Sequence, residues 1–345
     1  MSPGSRFRCL QFFPEFERRG ISCEVQFAYD ERYNEVHHRA WAPLYKLYGR
    51  TRRAGRLVFE RGHDLVYQHK TTLAFSGLPE WLRGFRSTPS IFDFDDAIYL
   101  APDGAHSPTR ASAFRQAVAS ADHVIAGNAH LAAQTLAPGK TTLIPTVVDT
   151  GKYQPAPRHA NTGEFVVGWM GTASNFTHLR GVMPSVLEAI SRLPRARLRV
   201  VSNGVLPEYA SHPLVEQWRW SDDRELMALQ SFDVGLMPLP DTEQTRGKCG
   251  FKMLQYMACG VPVLASAVGA NVPLFENSAA GTLVQPGDDW APHLLALASQ
   301  PPERRADMGA AGRLHVERNF SVRQVVDQYV DLFHQVVSRP RARSA

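Results

Sequence analysis

Cysteine is scarce in this chain. Four stand in 345 residues, Cys9, Cys23, Cys249 and Cys259, with no CxxC pair and no metal-ligand spacing. That excludes a disulfide scaffold and a zinc module, and it fits free thiols in a reducing cytosol. Long apolar runs are missing too. Nothing approaches the roughly 18 consecutive apolar residues that a membrane span needs, and the N-terminus has no apolar signal core. Short-period repeats and low-complexity tracts are absent. Acidic charge is in deficit, with 33 Asp and Glu against 38 Lys and Arg. The resulting net charge of +5 favours an anionic partner without naming it. No nucleic-acid module accompanies that charge, so nucleic acid is not an expected partner. The expectation is a cytoplasmic protein that touches at most the inner surface of a membrane.

What is present is alternation. The composition, 44% hydrophobic and 21% charged, is that of a globular protein long enough for two domains. Strand-like runs recur at "CEVQFA" (23–28), "DLVYQH" (64–69), "SIFDFDD" (90–96), "HVIAGN" (123–128) and "TTLIPT" (141–146). They recur again at "FVVGWM" (165–170), "RLRVVS" (197–202), "VGLMPL" (234–239), "VPVLAS" (261–266) and "GTLV" (281–284). Helical patterns at 108–120, 128–136, 180–193, 222–231, 250–258 and 289–299 lie between them. Two more, at 303–318 and 321–337, close the chain. Such alternation predicts an α/β protein with parallel sheets covered on both faces. A stretch rich in Pro, Gly and polar residues at 149–164 marks the join. The expected domains are 1–150 and 151–338, the last helix crossing back to the first, with a basic tail at 339–345.

One segment carries chemistry. In "GKCGFKMLQYMACGVPVLAS" (247–266) a short helix leads into a buried strand, with Lys248 before its start and Lys252 in its first turn. Cations at a helix N-terminus oppose the dipole by about 0.3–1 kcal/mol each. The placement becomes sensible if an anion docks there, met by backbone amides and ammonium groups together. Two solvated lysines on a surface helix fit the segment alone equally well. The position adds weight to the anion, because ligands of doubly wound domains bind at strand carboxyl ends, in a cleft where two such domains meet.

The run 233–271, "DVGLMPLPDTEQTRGKCGFKMLQYMACGVPVLASAVGAN", resembles the donor-binding segment of family 4 glycosyltransferases. "VVGWMGTASNFTHL" (166–179) is similar to their loop after the first strand of the second domain. "VIAGNAHLAAQTL" and "IPTVVDTGKYQP" resemble the end of their first. The resemblance implies the GT-B fold, two doubly wound Rossmann-like domains facing a cleft. It also implies transfer from a nucleotide diphosphate sugar to an acceptor hydroxyl, retaining and metal-independent, with no cofactor beyond the co-substrate. Gly250 and Phe251 match the turn whose amides meet the diphosphate. Lys252 and Lys248 would neutralise the leaving group, while Gly171 and Thr172 approach the same phosphates. Arg246 and Asn203 complete the donor side, with the base near Asn203–Gly204 and Trp218–Trp220, although aromatic burial favours core roles for the tryptophans. Many bacterial members use glycan or lipid-linked acceptors in envelope synthesis.

The chain departs from the family in two places. A Glu-x7-Glu pair common there is replaced by Gly247 and Gln255; Gln255 can still hydrogen-bond a ribose. The usual first strand is not found either, since "MSPGSRFRCLQFFPEFERRG" already reads as loop and helix. Ser5, Arg6 and Arg8 would then line the cleft, with His69 and Asp95 as further acceptor-side candidates. Both departures suit an alternative: a catalytically degenerate subunit of the same fold that supports a partner transferase. "DFDD" (93–96) matches a DxD metal motif, but a lone short motif is weak, so no metal site is expected. Residues 40–59 pattern as an amphipathic helix, with Trp41, Leu44, Tyr45 and Tyr48 on one stripe and Lys46, Arg50, Arg53 and Arg56 on another. Either the helix meets an anionic membrane surface, or it packs on its domain with the basic face solvated.

Overall fold

The computed structural model describes residues 3–27, 39–156 and 163–339. Most of the 339–345 tail and part of the 149–164 join lie outside these. The chain divides into two compact units, Met1–Pro145 with Val326–Ala345, and Thr146–Val325.

The second unit is a complete doubly wound domain. Its strands are β5 (Phe165–Met170), β6 (Ala196–Ser202), β7 (Val215–Arg219), β8 (Val234–Met237), β9 (Val263–Ser266) and β10 (Gly281–Val284), numbered after four in the first unit. All pair parallel, in the order β10-β9-β8-β5-β6-β7. The strand order therefore reverses between β5 and β8. At such a switch point the connections leave to opposite faces, and a crevice opens at the carboxyl ends. Strands β8 and β9 are buried along their whole length, as expected of strands covered on both faces. Strand β7 was not anticipated from the sequence: "VEQWR" is half-buried and pairs only with β6.

The first unit holds β1 (Val66–His69), β2 (Ser90–Phe94), β3 (His123–Ala126) and β4 (Thr141–Leu143), parallel and in sequential order. Its helices are α1 (Pro3–Arg8), α2 (Phe13–Arg18), α3 (Ala42–Phe59), α4 (Leu78–Gly84), α5 (Pro108–Ser120) and α6 (Ala129–Gln134). Among the described residues no strand precedes β1. The strand expected at "CEVQFA" is absent: residues 21–27 have no regular structure, and Ala28 lies outside the described residues. Alternation makes a strand only where a sheet edge pairs with it. Here the Gln26 amide donates to Glu60 (2.5 Å), and Val25 and Phe27 stay exposed.

Arg8 corrects a second expectation. It does not line a cleft but is buried in the first unit, its guanidinium gripping Asp93 through Nε (3.0 Å) and Nη2 (2.5 Å). Nη1 donates to the Ile144 carbonyl (2.8 Å), and the Tyr67 hydroxyl adds a bond to Asp93 (2.5 Å). Burial opposes the charge on Arg8, but Asp93 and its neighbours outweigh it and raise the pKa well above the ordinary value. The pair thus joins α1 to β2 and the chain beyond β4. Around it Phe12 and Phe16 pack at tilted and edge-on angles against Tyr329 and Phe333, which belong to the returning C-terminal helix, Val322–Ser338. Removing one member of such a pair strands a buried charge. Arg8→Ala is expected to cost about 3–5 kcal/mol in denaturant unfolding, and adding Asp93→Ala to recover part of that loss.

Candidate functional site

Four helices of the second unit matter here: α7 (Phe176–Arg180), α9 (Asp222–Gln230), α10 (Glu243–Arg246) and α11 (Phe251–Ala258), with α8 (Met183–Ser191) between the first two. Helix α11 starts where expected. Gly250 holds its N-cap in the left-handed region (φ +62°), where a side chain would be strained. An added Cβ there would also meet Leu274 Cδ1 at 2.3 Å. The helix is anchored by Tyr256, whose hydroxyl accepts from Met170 N–H (3.0 Å) and donates to the Leu236 carbonyl (3.3 Å). One side chain thus spans β5 and β8 and brings the start of α11 to the switch point.

The result is a meeting of expected residues. Lys252 lies over the Trp169 ring, Nζ 5.8 Å from its centroid. A Cβ on Gly171 would meet Lys252 Cε at 2.7 Å, so only glycine admits this approach. Gly171, Gly250, Phe251 and Lys252 are therefore brought together from two separate segments of sequence. Lys248 lies close enough to act, with Lys252, on a third group: the imidazole of His178 on α7. Burial, then Lys248 and Lys252, depress that pKa to about 4. His178 was not among the expected site residues. A lone histidine carries no spacing signal, and only the fold sets it beside the two lysines.

Other expected residues are placed differently. Thr172 and Asn203 hold the loop after β5: the Thr172 hydroxyl accepts from Asn175 Nδ2 (2.8 Å), and Asn203 Oδ1 accepts from Ala173 N–H (2.9 Å). Arg246 pairs with exposed Asp241 at 2.6 and 2.9 Å, on a turn closed by a Thr242–Thr245 capping box. Gln255 is a correction. It is buried, and its amide donates to Glu225 of α9 (3.1 Å), which also accepts from the Tyr153 hydroxyl (2.9 Å). It faces the interior of the unit rather than its surface. Trp218 stacks under Arg199, 4.0 Å from the ring centroid, while Trp220 is exposed beyond β7.

In the first unit, His69 and Asp95 do meet. His69 Nε2 is 3.2 Å from Asp95 Oδ1, and Lys70 Nζ reaches Asp95 (2.8 Å) and Asp96 (2.6 Å). Burial would raise the Asp95 pKa, but Lys70 and His69 more than offset it and hold the carboxyl well below the usual range. Gly4 backs onto this pair, where a Cβ would meet His69 Cε1 at 2.8 Å. Arg6, on the same α1, is half-buried over the Phe7 ring. The "DFDD" carboxylates are thus committed to Arg8, His69 and Lys70. Among the described residues no cluster of three His, Cys, Asp or Glu is placed to hold a metal.

The family model described as "Glycosyl transferase-like" matches residues 184–331. A GDP-mannose-dependent monoacylated alpha-(1-6)-phosphatidylinositol monomannoside mannosyltransferase of Corynebacterium glutamicum is 29% identical over 202 residues, covering 52% of each chain. A D-inositol 3-phosphate glycosyltransferase of Rhodococcus erythropolis is 24% identical over 234 residues, 57% of this chain and 49% of that protein. The chain spans about half the length of these curated relatives. Among solved structures, HepE of Anabaena in complex with UDP and glucose superposes with a TM-score of 0.63 at 16% identity, covering 94% of this chain and 89% of that one. The fold class is therefore GT-B, the two-unit α/β architecture of glycosyltransferases. More narrowly, the resemblance to family 4 glycosyltransferases carried by the donor segment is borne out.

The depressed His178 pKa has a measurable consequence. The fold holds this imidazole neutral, so its contribution to stability is complete above the ordinary value of 6.5 and is lost as pH falls towards 4. The melting temperature is expected to drop across that window, and His178→Gln to flatten the drop.

Proposed function

We propose that the protein transfers a sugar from a nucleotide diphosphate sugar to an acceptor hydroxyl, with retention and without a metal, in envelope polysaccharide or glycolipid synthesis. The observation that carries this reading is the close approach of Lys252, in the first turn after the left-handed Gly250 cap of α11, to Gly171 after β5. A diphosphate seated there would meet the amides that open an eight-residue helix, together with two ammonium groups. As the bond to the sugar breaks, charge builds on the leaving diphosphate. Lys252 and Lys248 stabilise it in place, an effect of about 3 kcal/mol per well-placed donor. The loop at Gly171–Thr172 lies over the same group. His69 and Asp95 serve the acceptor side, Asp95 orienting the imidazole. The relatives' activities, mannosyl transfer to a phosphatidylinositol monomannoside among them, support a lipid-linked or glycan acceptor. Peripheral contact with the inner face of an anionic membrane belongs to the same proposal.

One observation favours the second reading, a GT-B subunit that binds without catalysis. Gly247 and buried Gln255 stand where a carboxylate pair is common, and Gln255 is spent on Glu225. Two measurements separate the readings. Nucleoside diphosphates are expected to raise the melting temperature in either case, whereas donor hydrolysis or transfer occurs only in the first. Lys252→Ala is expected to lower turnover by about 100-fold; near-normal turnover would remove Lys252 from catalysis. EDTA is expected to leave turnover intact, and a loss restored by manganese would overturn metal independence.

A further inference from the structure

Helices α3 and α4 of the first unit are turned inside out. The expectation for an amphipathic helix packed on its domain is an apolar stripe inward and a basic stripe in water. In α3 the residues buried are the small or branched Ala42, Gly49 and Val58, and the large apolar side chains face outward. Leu44, Tyr48 and Phe59 lie along one stripe and are 69%, 63% and 71% exposed. Of the basic stripe, Arg53 turns inward to the His69 carbonyl on edge strand β1 (3.1 Å), and Arg50 lies over the Phe75 ring (5.5 Å). Helix α4, which packs against α3, repeats the inversion. It buries Glu80 and Arg83 and exposes Trp81 and Leu82, with Phe85 just beyond its end. Glu80 is held inside by bonds from Gln68 Nε2 and Thr72 N–H, both 2.7 Å, and Arg83 by one to the Thr88 carbonyl (2.7 Å). Water is a poor partner for two neighbouring helices that both present large apolar side chains.

We infer that the α3–α4 face inserts shallowly into the interface of an anionic lipid bilayer. The chemistry of the face selects this occupant. Its apolar members are mostly aromatic, and Trp and Tyr favour the level of the headgroups. Its exposed charges are Arg52 and Arg56, and α3 contains no acidic residue. The one carboxylate of α4 is buried, so no negative charge from either helix opposes the lipid phosphates. No helix among the described residues is long and apolar enough to cross a membrane, so the attachment is to one leaflet. This deepens the membrane contact proposed above by naming the apolar, not the basic, stripe of α3 as the inserted surface and adding α4 to it.

The test is co-sedimentation of the full chain, without nucleotide, with vesicles of phosphatidylcholine alone or mixed with phosphatidylglycerol. Binding to the mixed vesicles is expected, weakened about tenfold by Tyr48→Glu on α3 and likewise by Phe85→Glu after α4. Arg52→Glu with Arg56→Glu is expected to remove the preference for phosphatidylglycerol. Melting curves of these exposed variants should match the parent. The inference is overturned if neither vesicle binds, if binding ignores the substitutions, or if light scattering shows a dimer that Tyr48→Glu dissolves. Nucleotide binding is read separately by thermal shift, so sugar transfer can fail while this stands, or the reverse.

Discussion

The placement of one hydroxyl group governs the second unit. Tyr256 can bond Met170 and Leu236 at once only because β5 and β8 are neighbours at the point where the strand order reverses. Gly235 leaves room for its ring, since a Cβ there would sit 2.5 Å from it. With Tyr256 seated, the start of α11 must face the loop after β5. Lys252 then lies over Trp169 and beside Gly171. Chemistry at this end of the sheet is a consequence of how the helix is bolted to the strands.

The first unit depends on a different device, a buried ion pair. Arg8 and Asp93 sit in a shell of aromatic rings where a lone charge would be very costly. Their bidentate geometry and the added bonds from Tyr67 and to Ile144 satisfy both partners. Just past the end of the same strand, Asp95 and Asp96 are paired again, with His69 and Lys70. Three aspartates within four residues, which would attract a cation in isolation, are in this way neutralised from within the fold. The first unit thus cancels these charges internally, while the second brings Lys248 and Lys252 to the start of α11.

Much of this was legible in the chain. Alternating apolar runs located nine of the ten strands among the described residues, and the segment resembling a donor site was recognisable because its features are local: a glycine cap, two lysines and a buried strand within twenty residues. Less legible were features whose partners lie far along the chain. Val215–Arg219 escaped notice as a strand because its burial is partial and it borrows only one neighbour. Arg8 looked like a cleft residue because its partner stands 85 positions away. Gln255 looked available because nothing in its own helix announces Glu225, thirty residues earlier.

Periodicity and local motifs determined the class, the parallel sheets and the helix start that gathers positive charge, because each depends on residues close together in the chain. Which way a side chain faces was decided by tertiary structure alone. The stripe pattern of α3 is the same whether Leu44 and Tyr48 point to a core or to solvent. Only the neighbours can choose, and here His69 of β1 takes Arg53 and Phe75 takes Arg50, while Leu44 and Tyr48 are left outward. An amphipathic helix specifies two faces but not their destinations, since burial is a property of what packs against it.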